Sequence, residues 1–421
     1  MNVPPPFDQP TTIAVTGGPR RATAAFVYVT VMLDTLSIGI VLPVLPMLIS
    51  GFVHGDTVSA ARIFGLFIVA WAAMQFLFSP LLGALSDRFG RRRVILASNF
   101  CLGIDYVIMA LAPTLGWLLF GRLISGVMAA SITTSAAYIA DVTPPEKRAG
   151  SYAMMNAAST AGYMLGPALG GVLAHISPTL PCWIAAVFSI VNGCYGTFVL
   201  PESLARIHRA KITWKTANPF GGLVLLGRYR GLIGLMAGNF ITIVASVVIQ
   251  TITVLYTAYR YGWDTRTIGL TMAGIAACGF LVQILLAGRI IRVIGERLGF
   301  ILGTASGALC LAIYAFAPNG WVFIAATPAM AFWGLTYPSL QSLMTRYVSP
   351  SEHGRLQGVN NSLYGVANLI GPWMFSAVFA AFIGPWKDLD LPGAPFILSV
   401  MLLAIAIGIL ISATRPQGQY P

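Results

Sequence analysis

Residues 83–93 read GALSDRFGRRR, and residues 288–297 read GRIIRVIGER. In each stretch a first glycine is followed seven residues later by a second one, and charged residues come directly after it. The two stretches lie 205 residues apart, the difference between positions 83 and 288. The same offset relates further landmarks, which are Ala112-Pro113 and Ala317-Pro318, Pro145 and Pro350, Gly166-Pro167 and Gly371-Pro372, and Arg92 and Arg297. A single offset without slippage indicates an internal duplication.

The composition predicts that both copies lie in a membrane. Of the 421 residues, 57% are apolar and only 9% are charged, which excludes an ordinary soluble globule. We count twelve apolar stretches of about 20 residues, each long enough to cross a bilayer core of roughly 30 Å. Six of them separate each landmark from its copy, and an even number preserves orientation in the membrane. The sequence therefore predicts an all-α membrane protein with twelve transmembrane helices in two six-helix bundles, related by a pseudo-two-fold axis.

These features divide the chain into five predicted segments. They are a disordered cytoplasmic arm at 1–22, an N-terminal six-helix bundle at 23–200, a polar cytoplasmic linker at 201–229, a C-terminal six-helix bundle at 230–414 and a cytoplasmic tail at 415–421. Orientation follows from Lys and Arg, because cytoplasmic loops retain positive charge and the opposite loops hold only Arg62, Arg260, Arg266 and Lys387. The bases are dispersed among membrane loops, so the net charge of +12 predicts contact with anionic lipid and no nucleic-acid partner.

Three ionisable residues lie well inside predicted helices: Asp34, Asp105 and Arg122. A charge there is costly unless it is paired, hydrated or neutralised. Asp34 lies roughly 15 Å from the end of its helix, where it is either a proton or cationic-substrate site or a structural hydrogen-bonding group. Asp105 and Arg122 lie at similar distances from one tight turn, so we expect an interhelical ion pair, either functional or only structural. Their copies at the same offset are neutral: Asn239, Cys310 and Thr327.

Two further patterns predict packing and gating. A run of small residues in the fifth predicted helix predicts a closely packed, kinked hinge. Its members are Gly162, Gly166, Pro167, Gly170 and Gly171. Asp87, in the charged loop quoted first, is expected to contact Arg91 or a helix terminus and to form a latch that breaks when that face opens. In the second copy Arg292 replaces this acid, so that copy is degenerate.

These motifs resemble those of a known family. Gly83 to Arg93 is similar to the major facilitator loop motif, Gly162 to Gly171 to its antiporter motif, and Arg122 to Gly126 to its proton-coupling motif, with Ser125 where Gln is usual. Other stretches resemble the bacterial tetracycline:proton antiporters. They are Leu33-Asp34, Pro43 to Pro46, Ile104 to Tyr106, Tyr138 to Asp141, Leu200 to Ser203, Gly262 to Asp264, and Leu356 to Gly358.

The resemblance implies a location and roles for particular residues. It implies the bacterial inner membrane, proton coupling through Asp34, Asp105 and Arg122, and the major facilitator fold. It also implies a cytoplasmic gate formed by Asp87, Arg88, Arg91, Arg92 and Asp141. The family often has an acidic residue near Gly307, and this chain has none there. That departure counts against proton coupling in the C-terminal half and against tetracycline as the substrate.

We therefore expect a proton-driven antiporter that exports a small amphipathic compound and that works as a monomer. The proton motive force supplies its energy, without a cofactor or a metal. Substrate-binding candidates are Asp34, Asn239, Gln250, Gln283 and Gln341. Alternatives are import of a metabolite by proton symport and a non-transporting receptor or scaffold. An enzyme is not expected, because the four His residues lie singly and no paired metal-ligand or nucleotide-binding motif occurs.

Overall fold

The computed structural model describes residues 20–129, 131–144, 147–204, 230–348 and 353–414. The predicted tail, and most of the predicted arm and linker, lie outside these residues. We call the face that carries Gly90, Leu200 and Gly295 the predicted cytoplasmic face, and the opposite one the predicted periplasmic face.

The N-terminal half forms eight helices that make six membrane spans. They are α1 (Arg20–Val41), α2 (Leu45–Phe52), α3 (Thr57–Phe89), α4 (Arg91–Leu111), α5 (Leu115–Met128), α6 (Ser131–Val142), α7 (Arg148–Ile176) and α8 (Leu180–Val199). The pairs α1–α2 and α5–α6 are each one interrupted span. Pro43 and Pro46 account for the first interruption, because a proline lacks the N–H that continues the helical ladder.

The C-terminal half repeats this arrangement in more broken form. Its helices are α9 (Arg230–Tyr261), α10 (Thr265–Leu281), α11 (Gly288–Ile294), α12 (Glu296–Phe316), α13 (Gly320–Ala325), α14 (Thr327–Trp333), α15 (Thr336–Thr345), α16 (His353–Ile383) and α17 (Ala394–Ala413). A π-helical turn, Val282–Ala287, joins α10 to α11, and a short 3-10 helix, Lys387–Leu389, precedes α17.

The predicted architecture is confirmed. Among the described residues, ten spans are long and apolar enough to cross a membrane. The remaining two spans are α7, which packs along α1, and the broken stretch α13 to α15, which packs on α12. The duplication is visible in the backbone, because Gly90 and its copy Gly295 both have positive φ, +104° and +82°, at matching turns. An L-residue with a side chain is strained in that region, so glycine is required at both turns.

The glycine run of α7 brings two helix backbones into direct contact. A methyl group added at Gly166 would lie 2.5 Å from the Cα of Gly39 on α1. One added at Gly162 would meet the Thr35 hydroxyl, and one at Gly170 would fall on the carbonyl oxygen of Ile40. Three small residues spaced four apart thus present a groove into which α1 fits.

The two halves meet at the predicted periplasmic end. A Cβ at Gly171 of α7 would lie 2.9 Å from the Cα of Gly269 on α10. At the edge of the same interface the Nδ1 atom of His175 lies 3.6 Å from a carboxylate oxygen of Asp264. Since α7 contacts α1 through one set of glycines and α10 through another, it links the two bundles at this end.

We expect Gly170→Ala to destabilise the protein by about 1 to 3 kcal/mol, because the added methyl group overpacks the contact with Ile40. Gly150→Ala is the matched control, since a Cβ at Gly150 on the same helix meets nothing within 4 Å. The thermal unfolding midpoint of the purified protein in detergent measures both changes. A Gly170→Ala protein as stable as the Gly150→Ala protein would contradict the described packing.

Candidate functional site

The three charged residues inside the N-terminal half share one neighbour. Asp34 on α1 and Asp105 on α4 are 2% and 0% exposed. Tyr106, fully buried beside Asp105, lies within electrostatic range of both acids and of Arg122 on α5. The fold therefore gathers residues from α1, α4 and α5 into one buried cluster, which we call the charged cluster: Asp34, Asp105, Tyr106 and Arg122.

Asp105 and Arg122 are neighbours across the hairpin formed by α4 and α5. One carboxylate oxygen of Asp105 lies against the backbone of Gly121, only 2.6 Å from where a Cβ would be. Neither of its carboxylate oxygens makes a hydrogen bond of good geometry among the described residues, although the Ser125 hydroxyl lies near the carboxylate. The Arg122 guanidinium instead lies 5.4 Å from the centre of the Trp71 ring on α3. The expected direct ion pair is thus absent from the described residues, because Arg122 makes a cation–π contact while remaining in electrostatic range of Asp105.

Sequence reasoning gave no role to three residues of this region: Tyr106, Trp71 and Cys182. Cys182 on α8 is completely buried and lies within electrostatic range of Asp105 and Arg122. Tyr106 follows Asp105 in the chain, and that adjacency is the one feature of the sequence that places Tyr106 near the buried acid. Trp71 and Cys182 come from other helices, so only the packing of the bundle places them here.

A second polar cluster lies at the predicted cytoplasmic face, where α3, α4 and α6 end or begin. Arg91 contacts Asp87 with an N–O distance of 2.6 Å and Asp141 with one of 3.3 Å. Its guanidinium also donates to the Ser86 hydroxyl at 2.6 Å. Of the five residues with a predicted gating role, the structure brings together Asp87, Arg91 and Asp141. Arg88 is exposed over the Phe89 ring, and Arg92 donates to a backbone carbonyl of α8.

The C-terminal half contains the same cluster with the charges inverted. The repeat offset carries Asp87, Arg91 and Asp141 onto the positions of Arg292, Glu296 and Arg346. A carboxylate oxygen of Glu296 lies 2.7 Å from the Arg346 guanidinium, and the other accepts a hydrogen bond from Ser342 at 2.6 Å. By sequence position, a base with two acids in one half therefore corresponds to an acid with two bases in the other. The second copy, degenerate in sequence, keeps one ion pair of this cluster with opposite sign, between Glu296 and Arg346.

A cavity of about 410 Å³ lies in the C-terminal half. Side chains from α9, α14, α15 and α16 line it, including Asn239 and the aromatic rings of Trp333, Tyr337 and Tyr364. A neighbouring cavity of about 330 Å³ shares Asn361 and Tyr364 with it and reaches Gln75 and Thr133 in the N-terminal half. None of the described residues that line either cavity carries a formal charge.

The five predicted substrate-binding residues lie in three different places. Asn239 lines the larger cavity, and Gln341 is hydrogen-bonded to Asn360 on the cavity wall. Gln250 on α9 and Gln283 in the π-helical turn are exposed and are not among the lining residues of these cavities. Asp34 belongs to the charged cluster instead. Three further amide side chains line the larger cavity, and the sequence assigned no binding role to them: Gln357, Asn360 and Asn361.

Two helical bundles related by duplication, with cavities lined by amides and aromatic rings in and between them and buried charges in one half, define a membrane transporter. A profile of the Major Facilitator Superfamily matches residues 27–372, and the chain belongs to that superfamily.

Similar proteins agree with this assignment. The chain is 36% identical to the tetracycline resistance protein, class C, of Escherichia coli over 361 residues, covering 86% of this chain and 90% of that one. It is 34% identical to the class G protein of Vibrio anguillarum, covering 93% and 97%. The solved structure of the human organic anion transporter MFSD10 (TETRAN) has a TM-score of 0.68 at 23% identity, covering 94% of this chain and 100% of that one. The nucleoside transporter NupG has a TM-score of 0.74 at 12% identity, covering 94% and 100%.

We expect Asp105→Asn to leave folded yield and thermal midpoint close to those of the wild type. An Asn side chain can keep the contact with the nearby Ser125 hydroxyl, and Arg122 keeps its contact with Trp71. Breaking a direct buried ion pair costs about 3 to 5 kcal/mol. A destabilisation of that size, measured by thermal unfolding in detergent, would show that Asp105 and Arg122 are directly paired after all.

Proposed function

We propose that the protein is a proton-coupled antiporter that exports a small amphipathic compound from the cytoplasm. The observation that carries the proposal is the charged cluster, because two buried acids beside one tyrosine are costly in a membrane and are suited to binding and releasing protons. The names of the relatives, tetracycline resistance proteins, support export of a drug-like molecule.

The arrangement of the halves supports alternating access. The bundles are in contact at the predicted periplasmic end, through Gly171 with Gly269 and through Gly65 with Ser376. Rocking one bundle against the other would separate these contacts and present the cavities to the opposite side. Proton binding to Asp34 or Asp105 removes a charge from the N-terminal half, so the proton state of these acids can bias which side is open. Pro167 of α7 is the proposed hinge, within a glycine run that packs on both α1 and α10.

The two inverted clusters support a gating role at the predicted cytoplasmic face. The N-terminal cluster of Asp87, Arg91 and Asp141 has an excess of negative charge, and its C-terminal copy has an excess of positive charge. When the bundles approach each other on this face, the two clusters attract. Asp87, whose side chain is 46% exposed, is free to contribute to that attraction while it contacts Arg91. One chain contains both clusters and the whole cavity, so we propose that a monomer suffices.

Asp34→Asn mimics a permanently protonated acid, and we expect it to abolish substrate flux driven by a pH gradient while leaving expression intact. The matched control is Asp388→Asn, an exposed acid outside the charged cluster. Transport is measured as uptake into everted membrane vesicles, with tetracycline as the first probe and proton flux recorded at the same time. Wild-type, proton-coupled flux in the Asp34→Asn protein would remove this residue from the mechanism.

The vesicle assay also separates the alternatives. Everted vesicles acidified inside accumulate an exported substrate, whereas a symported metabolite leaves them. A protein that acts as a receptor or scaffold shows no substrate-dependent proton flux in either direction.

Asp87→Arg is expected to shift the protein toward the state that is open at the predicted cytoplasmic face, because it replaces attraction to the positive C-terminal cluster by repulsion. The exchange variant, Asp87→Arg with Arg292→Asp, restores opposite charges and is expected to reverse the shift. Labelling of a cysteine introduced by Ser246→Cys on the cavity wall, after replacement of the five native cysteines, measures opening. Asp56→Asn, at the other end of the same helix, is the control. Equal labelling in all variants would contradict the gate.

A further inference from the structure

Five side-chain amides in the C-terminal half form one continuous chain of hydrogen bonds, which we call the amide chain. Asn239 donates to Asn360 at 3.1 Å, and Asn360 donates to Gln341 at 2.8 Å. Gln341 donates to Gln357 at 3.4 Å, and Gln357 donates to Asn361 at 3.3 Å. The chain connects α9, α15 and α16, and it runs from two buried amides to two exposed ones.

The hydrogen bonds that link the helices leave some donors and acceptors of these amides unused. A primary amide has two N–H donors and two acceptor lone pairs, and each of the four bonds uses only one donor and one lone pair. Gln357, Asn360 and Asn361 line the larger cavity, so their remaining groups are available to whatever occupies it. Hydrogen bonds in a chain polarise one another, which strengthens the groups at its end. That end is Asn361, which lines both cavities.

The rest of the cavity wall limits the chemistry of the ligand. Trp333, Tyr337 and Tyr364 offer aromatic surface, and the described lining residues carry no formal charge. An ionised group placed here would lose its hydration without gaining a counter-charge, which is strongly unfavourable. A flat molecule whose uncharged edge presents hydroxyl and carbonyl groups would instead satisfy the amides and stack on the rings.

The repeat adds a second, independent observation. Asn239, the buried start of the amide chain, occupies the position that Asp34 occupies in the other half. Equivalent places in the two bundles therefore hold an amide on one side and an ionisable acid on the other. The C-terminal counterpart of this buried acid is therefore a neutral hydrogen-bonding group.

We infer that the amide chain is the recognition site for the uncharged, hydroxyl- and carbonyl-bearing edge of a planar aromatic substrate. This deepens the proposed function and rests on it, since it takes these cavities as the substrate site. It assigns substrate specificity to Gln357, Asn360 and Asn361. The C-terminal half then recognises uncharged polar groups of the substrate.

The test is a binding titration of the purified full-length protein in detergent, without a pH gradient. Tetracycline is the probe with a hydroxyl- and carbonyl-bearing edge, and tetraphenylphosphonium is the aromatic cation without hydrogen-bonding groups. Asn361→Leu removes the end of the amide chain at an exposed position, so folding is not at risk. We expect it to weaken tetracycline binding about tenfold, the effect of losing one or two hydrogen bonds, and not to weaken tetraphenylphosphonium binding.

Asn156→Leu is the matched control, because Asn156 is exposed at the repeat-equivalent position of α7 and belongs to neither cavity lining. It is expected to leave tetracycline affinity unchanged. Asn360→Leu, which cuts the chain in its buried middle, is expected to match Asn361→Leu. The assignment is overturned if tetracycline does not bind the wild type, or binds Asn361→Leu as tightly as Asn156→Leu. Binding that depends on Asn361 in a protein without proton-coupled flux would sink the proposed function and leave this assignment standing.

Discussion

The close contact of helix backbones along α7 is the constraint on which the rest of the molecule depends. In a membrane the hydrophobic effect does not drive helices to associate. Association therefore depends on the dispersion contacts that helices gain by approaching closely. The glycines of α7 allow that approach on two sides, toward Gly39 of α1 and toward Gly269 of α10. One helix thereby fixes the interior of its own bundle and the contact between bundles. The charged cluster and the cavities take their positions from this framework.

The duplicated halves have diverged in the kind of polarity that they keep. The N-terminal half retains ionisable groups in its interior, and one of them, Asp105, makes no hydrogen bond of good geometry among the described residues. Such a group is expensive, and selection for stability alone would remove it. The C-terminal half keeps neutral amides that hydrogen-bond to one another in a chain and carry no formal charge. Under the proposed function, protons bind in one half and a neutral ligand edge binds in the other, so only one half has to bury charge.

The predicted cytoplasmic face shows a different use of the duplication. Two copies of a cluster with the same charges would repel as the bundles close, whereas inverted copies attract. Arg91 with its two acids and Glu296 with Arg346 keep the same positions in their halves and exchange sign. The pairs are partly exposed, so each contributes little to stability. In the proposed gating role, their effect falls on the equilibrium between open and closed states, where a small free-energy difference changes populations.

The sequence by itself determined the helices, the duplication and the presence of Asp34, Asp105 and Arg122 inside helices, and its motifs indicated the superfamily by resemblance. The first three follow from recurring apolar stretches, one fixed offset and the placement of charged residues within those stretches, all of which can be read along the chain. Tertiary structure alone decided how side chains meet across helices. It turned Arg122 toward Trp71 instead of into an ion pair, left Gln250 and Gln283 outside the cavity lining and joined five amides from three helices. Those outcomes depend on the rotation of each helix about its axis, which close packing sets and which no local pattern encodes.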